Sequence, residues 1–357
     1  MNNTPNQYPS VLAWIKRHRG LPTDGLKWIY DWFSVDRKAS YGLAVMRMVS
    51  GALILGWLLV NAPVAAKIWG PGSAYMEPYR SVLGYPWSLD ILRDASMGLF
   101  VTWYVAAILL AVAFMIGWKT RFVTPLLFVF YTAINAQNTP ISDGGNYFIR
   151  IMLIYLIFAD LSKRWSLDSW LTNRKAKKKR EREFATILHN LSLCLVVAQL
   201  CIVYFEAGMY KVQGALWQEG TAMYYPISSE AYGVFPWLSS LITWNAWVVV
   251  LITYMTVIIQ IAFPFLLFNK ISRRIALVLV LGMHLGIAVV MGLPFFSGIM
   301  ASADAVLVSS TTWLTVQAWL VGCWRKVFGG QHPMPEQIPT GETKQNELES
   351  AKIPVSA

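Results

Sequence analysis

Residues 187–209, ILHNLSLCLVVAQLCIVYFEAGM, decide the fold class of this chain. The stretch is almost continuously apolar, and its length matches the ~20 residues that a helix needs to cross a bilayer core. Of the whole chain, 56% is hydrophobic and 14% is charged, where soluble domains carry about 25% charged residues. The sequence therefore predicts an all-α, polytopic integral membrane bundle of about eight transmembrane helices. The other apolar stretches lie at 41–61, 98–117, 122–137, 147–162, 246–268, 274–293 and 299–323.

The positive charge of the chain falls in alternate segments between these stretches. The formal net charge is +11, and its largest concentration is the Lys/Arg-rich segment 163–184. Membrane proteins keep loops rich in Lys and Arg on the cytoplasmic side. The alternation predicts cytoplasmic N and C termini in a multi-pass protein of the plasma membrane. Basic charge placed there favours contact with the lipid bilayer over binding of nucleic acid.

The two ends of the chain differ in composition from its apolar middle. Residues 1–40 contain basic and aromatic pieces at 11–19 and 26–33, which are typical of amphipathic helices along the inner membrane interface. Residues 326–357 are polar and rich in proline, a composition that predicts a disordered cytoplasmic tail. The transmembrane domain is therefore predicted over residues 41–325.

Two outer segments have a composition that ordinary loops lack. Residues 63–96 and 210–245 are rich in Gly, Pro, Trp and Tyr but poor in charge. Because Trp and Tyr favour the membrane interface, we expect these segments to fold onto the outer face and to cap a cavity there. The third and fourth apolar stretches are short enough to be tilted, half-inserted or bent. The polar run at 309–312 interrupts the eighth.

Ionisable side chains inside the apolar stretches mark candidate functional positions. A charge at the bilayer centre costs at least ~2.5–3.5 kcal/mol, so it faces a partner or a wet cavity. On the inner side, we expect Arg47 to pair with Asp160. On the outer side, a purely structural arrangement would pair Arg150 with an acidic neighbour, whereas the concentration of charge at that face favours a functional site. The residues concerned are Arg47, Arg150, Asp160, His189, Glu206, Lys211, His284 and Asp304, with Asp143 in the adjoining outer loop.

Lys211 has two interpretations. It stands five residues from Glu206, which is not the spacing of a stacked helical pair. Its long side chain could extend outward to water, or it could lie in a desolvated pocket where a neutral amine acts as a base. No motif typical of nucleotide, metal or serine-hydrolase chemistry occurs in the sequence, and no metal site is predicted.

Several strings resemble a known family. The run YFEAGMYKVQGALWQEG at 204–220 is similar to a signature of the vitamin K-dependent γ-carboxylases, which share the horizontally transferred transmembrane (HTTM) domain. The runs GWKTR at 117–121 and DGGNYFIR at 143–150, the latter followed by WSLD at 165–168, resemble other parts of that domain. Residues 41–47, YGLAVMR, are similar to its first helix. The resemblance covers roughly residues 40–320.

This resemblance implies a membrane enzyme that uses reduced vitamin K or a menaquinol-like quinol. In the carboxylases, a lysine of the 204–220 string deprotonates the quinol, whose anion takes up O2 and then removes a proton from a substrate Glu before CO2 adds. Lys211 matches that lysine. We predict a catalytic group of Lys211, Glu206, Asn146 and Arg150, and a cofactor-binding group of Tyr204, Trp217, Tyr147, His284 and Asp304.

Two features depart from the carboxylase pattern. The stretch Gly144-Gly145-Asn146-Tyr147 has no His, although the corresponding carboxylase motif contains Asn and His. A short tail stands where the carboxylases carry a large extracytoplasmic domain for substrate recognition. Bacterial relatives of this size include proteins resembling the sporulation-delaying toxin maturation factor. The resemblance therefore implies a secreted peptide or protein as substrate and a neighbouring maturation protein as a further partner, with O2 and CO2 needed only by a true carboxylase.

Two other functions stay open at this point. One is a non-catalytic membrane protein for the maturation, export or immunity of a secreted peptide toxin. The other is a transporter, which is less favoured because the sequence shows no internal repeat and no pair of Gly/Pro-broken helices at the midplane.

Overall fold

A computed structural model describes residues 23–73, 91–173 and 183–328, and all the regular elements within these ranges are helices. The described residues leave out the piece at 11–19, the core of the basic loop, the middle of the first outer segment and the predicted tail beyond Phe328. The last helix extends three residues into that tail. In chain order the helices are α1 Thr23–Ser34, α2 Ser40–Asn61, α3 Ala65–Ile68, α4 Met97–Ile116, α5 Thr120–Ala136, α6 Gly144–Leu156, α7 Leu167–Asn173, α8 Glu183–Val212, α9 Ala215–Gln218, α10 Tyr224–Ser228, α11 Pro236–Thr243, α12 Ala246–Leu266, α13 Lys270–Val290, α14 Pro294–Asp304 and α15 Ser310–Phe328. Short 3₁₀ turns occupy Thr139–Ile141 and Ala305–Leu307.

Five helices are long and apolar enough to cross a membrane: α2, α4, α8, α12 and α13. A sixth span results if the helical pieces 294–307 and 310–325 count as one broken span. Helix α6 has 13 residues, so at 1.5 Å per residue it is about 20 Å long and shorter than the bilayer core. The prediction of an all-α polytopic membrane protein is confirmed. By length and composition, the described part contains five helices, or six with the broken pair, that are able to span a membrane, and the number of about eight spans stays a prediction.

The residues up to Ser309 form one compact unit, and a second unit begins at Ser310. Within the first unit, α8 packs along α12, and α2 packs against both α4 and α14. Helix α13 contacts α12 and α14, while α6 contacts α5, α8 and α14. The close contact of α8 with α12 depends on Gly208, because a Cβ there would lie 2.6 Å from Ile261 Cγ1 and 3.1 Å from the Ile261 backbone nitrogen.

The predicted pair between Arg47 and Asp160 is wrong. Arg47 is fully buried, and its Nη2 donates to the Trp165 carbonyl oxygen at 2.5 Å. Asp160 instead forms an ion pair with Arg37. The prediction assumed that the fourth stretch stays helical to residue 162. Helix α6 ends at Leu156, so Asp160 lies in the turn that follows and meets the segment before α2.

Two strings that carry the family resemblance meet at this buried arginine. Gly117 ends α4 with φ +74°, and a Cβ at that position would lie 1.4 Å from Arg47 Nη1. Asp168 joins the GWKTR string to the WSLD string by two hydrogen bonds. Its backbone N–H donates to the Gly117 carbonyl at 3.3 Å. Its Oδ1 accepts from the Lys119 backbone N–H at 3.0 Å. These contacts give the GWKTR and WSLD strings a structural role.

The N-terminal piece at 26–33 forms part of helix α1, which packs against α8. His189 of α8 contributes to this contact, because its Nε2 lies 2.9 Å from the Lys38 carbonyl oxygen. The neighbouring Asn190 donates to the Asp36 carbonyl at 2.8 Å and accepts from the Lys38 backbone N–H at 2.9 Å. The N-terminal part of α8 is thereby tied to the segment between α1 and α2.

Candidate functional site

A cavity of about 680 Å³ lies between α8, α12 and α13. This volume is within the ~300–1,000 Å³ of small-molecule sites. Its wall is mostly hydrophobic, with a few polar side chains. The lining residues that the argument below uses are Tyr204, Ala207, Lys211, Trp217, Gln260 and His284.

The segment 213–245 closes this cavity on one side. Met223, Pro226, Ile227 and Ile242 of this segment line the cavity. The segment is held to α12 because the Met223 backbone N–H donates to Thr253 Oγ1 at 3.3 Å. The segment 210–245 therefore does contribute to the wall of a cavity, as expected, while its place on the outer face stays a prediction. The first outer segment includes residues 74–90, which lie outside the described residues.

Lys211 lies at the border of two concave surfaces. It lines the large cavity and also a more open depression of about 510 Å³ that includes Glu206 and Tyr210. Its Nζ donates to the Ala207 carbonyl at 3.2 Å and lies 5.2 Å from the centre of the Trp217 ring. Lys211 therefore belongs to both surfaces, and one backbone carbonyl and one aromatic ring contact its amine.

Three of the predicted cofactor-binding residues form a buried hydrogen-bonded chain. Tyr204 of α8 places its hydroxyl 2.9 Å from His284 Nε2 on α13 and donates to Asp304 Oδ2, at the end of α14, at 3.2 Å. The three side chains are 1%, 3% and 1% exposed, respectively. Tyr204 and His284 line the cavity, and Asp304 is reached through Tyr204. Residues far apart in the sequence are thus brought to one wall.

Three polar atoms near this wall have no hydrogen-bond partner among the described residues: His284 Nδ1, Asp304 Oδ1 and Gln260 Oε1. Buried polar groups are normally paired, so such exceptions need an explanation. His284 and Gln260 line the cavity. A ligand with one or two polar atoms on an apolar body would supply partners for these two side chains, whereas Asp304 does not line the cavity.

Gln260 was missed by the sequence analysis. It is 8% exposed and lies on α12, an otherwise strongly apolar helix. Gln260 has no ionisable group, so it does not stand out among the charged residues of the apolar stretches. A neutral amide inside a spanning helix is a weaker signal, but the same argument about unpaired polar groups in lipid would have identified it.

The predicted residues Asn146, Tyr147 and Arg150 are not among the residues that line the cavity. They form a separate cluster at the start of α6, where Asn146 Oδ1 accepts a hydrogen bond from the Tyr131 hydroxyl. Arg150 Nε donates to the Asn146 carbonyl at 3.1 Å, and its guanidinium lies 4.5 Å from the centre of the Tyr147 ring. Arg150 thus takes these partners in place of the expected acidic neighbour. Of the same string, Gly144 does line the cavity. The roles predicted for the three residues stay predictions.

Comparison with known proteins assigns most of the chain to one domain. The HTTM domain model matches residues 37–313. The chain is 30% identical over 276 residues to the uncharacterized protein YitO of Bacillus subtilis (strain 168), covering 73% of this chain and 82% of that protein. It is 26% identical over 206 residues to the sporulation-delaying protein SdpB of the same organism, covering 56% of this chain and 61% of that protein. No solved structure matches the chain.

Proposed function

Because the chain belongs to the HTTM domain family, we propose that it is a membrane enzyme that binds a lipid-soluble quinol, uses Lys211 as a base and modifies a secreted peptide or protein. One observation carries this proposal. Lys211 lines both an apolar cavity and a more open depression. A base in that position can act on a lipid-soluble molecule on one side and on a peptide on the other.

The cavity has the features that a quinol head group requires. Its apolar wall suits a ring and an isoprenoid tail, and binding sites of this kind need few polar contacts. His284 Nδ1 and Gln260 Oε1 are polar atoms without a protein partner in the described part of the chain. Both belong to residues of the cavity wall. We infer that Tyr204, Gln260, His284 and Trp217 hold the cofactor.

Lys211 is placed to accept a proton. A bound quinol supplies an acidic hydroxyl and two reducing equivalents. Lys211 Nζ, in its neutral form, would accept the hydroxyl proton, while the Ala207 carbonyl orients the nitrogen. The apolar wall excludes water, which strengthens electrostatic interactions inside the cavity. Carboxylation, with O2 and CO2 as co-substrates, is the narrowest form of this proposal.

Glu206 is proposed to face the peptide. It is exposed and lines the more open depression together with Tyr210 and Lys211. An acidic side chain there would attract a basic or N-terminal group of the substrate. Glu206 would also lie beside Lys211, whose amine is proposed to gain and lose a proton during the reaction.

Substitution of Lys211 by Arg and by Met tests the base. Arg keeps the charge but does not lose its proton near neutral pH. We expect both variants to lose the protein-dependent product among secreted peptides, measured by mass spectrometry of the culture medium. The matched control is Lys67→Met, because Lys67 is exposed on α3 and outside the cavity. Full activity of both Lys211 variants would refute the proposal, and rescue by Arg alone would assign a structural cation.

A non-catalytic role in the maturation, export or immunity of a secreted peptide is the second candidate. The observation that favours it is the 26% identity to a protein named for sporulation delay. Under this alternative, the peptide binds the depression that contains Glu206, and no quinol is needed. Lys211→Met would then preserve the effect on the secreted peptide, whereas Glu206→Gln would weaken it.

A further inference from the structure

The hydrogen-bonded chain of His284, Tyr204 and Asp304 leads from the cavity wall to a buried carboxyl group. We propose that it is a one-proton switch, which lets His284 Nδ1 accept a hydrogen bond from a ligand hydroxyl or, after uptake of a proton, donate one to a ligand carbonyl. This inference rests on the proposed function, because it assumes a ligand in the cavity. It adds that the site recognises both the reduced and the oxidised form of the same head group.

The geometry allows two arrangements of the same atoms. In the first, Tyr204 donates to Asp304 Oδ2 and accepts from His284 Nε2–H, so a neutral imidazole leaves Nδ1 as an acceptor. In the second, Asp304 carries a proton and donates to Tyr204, which donates to His284 Nε2, so Nδ1 carries the hydrogen. The ring is neutral in both, since neutral histidine has one donor and one acceptor nitrogen.

The two arrangements differ by one proton, and the transfer is balanced. A proton enters at His284 Nδ1, the Nε2 proton passes to the Tyr204 oxygen, and the Tyr204 hydroxyl proton passes to Asp304 Oδ2. One N–H bond forms, one N–H bond breaks, the tyrosine O–H bond is replaced, and a carboxyl O–H bond forms. No electrons are transferred, so binding alone selects the arrangement.

A purely structural cluster would pair its polar atoms more completely. His284 Nδ1 and Asp304 Oδ1 both have no partner among the described residues, although buried side chains of this kind are usually satisfied. The positions of the rings are nevertheless well defined. Phe263 packs on Tyr204 with ring centroids 4.6 Å apart. Phe296 meets His284 edge-on, and the centroids of these two rings are 6.0 Å apart. The side chains of His284 and Tyr204 are therefore held in place by their neighbours, while His284, a residue of the cavity wall, keeps Nδ1 without a hydrogen-bond partner among the described residues.

The arginines of two surrounding helices form hydrogen bonds to backbone carbonyls away from Asp304. Helix α14, which ends at Asp304, packs against α2, α6, α8 and α13. On α2, Arg47 donates to the Trp165 carbonyl, and on α6, Arg150 donates to the Asn146 carbonyl. On α8 and α13 the groups facing Asp304 are Tyr204 and, through it, His284. Asp304 is therefore available to exchange a proton with Tyr204.

The test compares the protons bound when the quinone and the quinol occupy the cavity. Full-length protein in nanodiscs is titrated, without oxygen, with a short-tailed menaquinone or its chemically reduced quinol. Isothermal titration calorimetry in buffers of different ionisation enthalpy gives the protons exchanged. We expect the quinone complex to hold about one proton more than the quinol complex, and infrared difference spectra to show a protonated carboxyl group with the quinone.

The variants separate the switch from a structural role. Asp304→Asn can still donate or accept toward Tyr204, so both ligands should bind within about tenfold of the original affinity, but the proton difference and the carboxyl signal should disappear. Tyr204→Phe interrupts the chain and should abolish the proton difference too. Tyr254→Phe is the matched control, because its hydroxyl donates to the Gln218 carbonyl away from the chain. Lys211→Met should keep the proton difference.

The outcomes distinguish this inference from the proposed function. If both ligands bind and the proton difference is near zero, the switch is refuted and the quinol site stands. A proton difference that persists in Asp304→Asn also refutes the switch. Failure of both ligands to bind refutes the switch and the proposed function together.

Discussion

The side-chain oxygen of Gln260 lies in the cavity wall without a hydrogen-bond partner among the described residues. A buried, unpaired polar group destabilises the folded state, so replacing it with an apolar group of similar size is nearly neutral or stabilising. We predict that Gln260→Leu keeps or raises the midpoint of thermal unfolding. The same change should weaken binding of a short-tailed menaquinol by about tenfold, because one hydrogen bond to the ligand is lost.

Thr253 on the same helix provides the contrast. Its Oγ1 accepts from the Met223 backbone N–H, so Thr253→Val should lower the unfolding midpoint. Thermal unfolding in detergent and titration of ligand fluorescence quenching measure the two quantities. A clear loss of stability in Gln260→Leu would show that the amide has a structural role.

At the residue scale, the sequence identifies ionisable groups in apolar helices but not their partners. His284 and Asp304 are candidates because ionisable side chains are rare at membrane depth, and Tyr204 is a candidate through the string that resembles the family. The structure joins the three by hydrogen bonds. The partner of Asp160 could not be found in this way. It depends on where α6 ends and on the path of the chain before α2, and the actual partner, Arg37, lies outside the apolar stretches.

Helices α8 and α12 are in close contact at Gly208, where a Cβ would lie 2.6 Å from Ile261 Cγ1. We predict that Gly208→Ala destabilises the protein. The overpacking typically costs ~1–3 kcal/mol, which exceeds the gain of ~0.5–1 kcal/mol from replacing a helical glycine. The unfolding midpoint in detergent measures the effect.

Gly322 of α15 is the matched control, because a Cβ at that position would meet nothing within 4 Å. Gly322→Ala should leave the unfolding midpoint unchanged or raise it. Equal midpoints for the two variants would show that α8 and α12 can separate at no cost.

At the element scale, apolar length predicts the long helices well and the short ones poorly. The stretch 147–162 was read as helical throughout, whereas α6 ends at Leu156. Hydrophobicity continues past that residue, so composition gives no stop signal. The end is determined by tertiary contacts: Asp160 pairs with Arg37, and its backbone N–H donates to His189 Nδ1 at 3.0 Å. A turn can make these contacts, and a continued helix cannot.

At the scale of the whole molecule, the orientation in the membrane is still a prediction. The Lys/Arg bias places the segment around 163–184 in the cytoplasm and 210–245 outside. We predict that Glu230→Cys reacts with a membrane-impermeant maleimide in intact cells, and that Thr172→Cys reacts only after permeabilisation. Both positions are exposed, so the reagent can reach each of them from its own side of the membrane.

The labelling requires replacement of the native cysteines Cys194, Cys201 and Cys323, which are free. The parent protein without cysteine is the control and should not react. Labelling of Thr172→Cys in intact cells, with Glu230→Cys protected, would reverse the orientation. The proposed reaction would then face the cytoplasm, and a secreted substrate would no longer fit.

The cap over the cavity lies within one continuous part of the chain. Its walls come mainly from α8, α12, α13 and α14, and the covering segment 213–245 lies between α8 and α12 in the sequence. The bundle half formed by α2, α4 and α5 supplies none of the lining residues. The sequence of the covering segment can therefore change during evolution without altering the packing of α2, α4 and α5. Related proteins with the same bundle are expected to diverge in ligand preference mainly through this stretch, and chimaeras that swap it should transfer the preference.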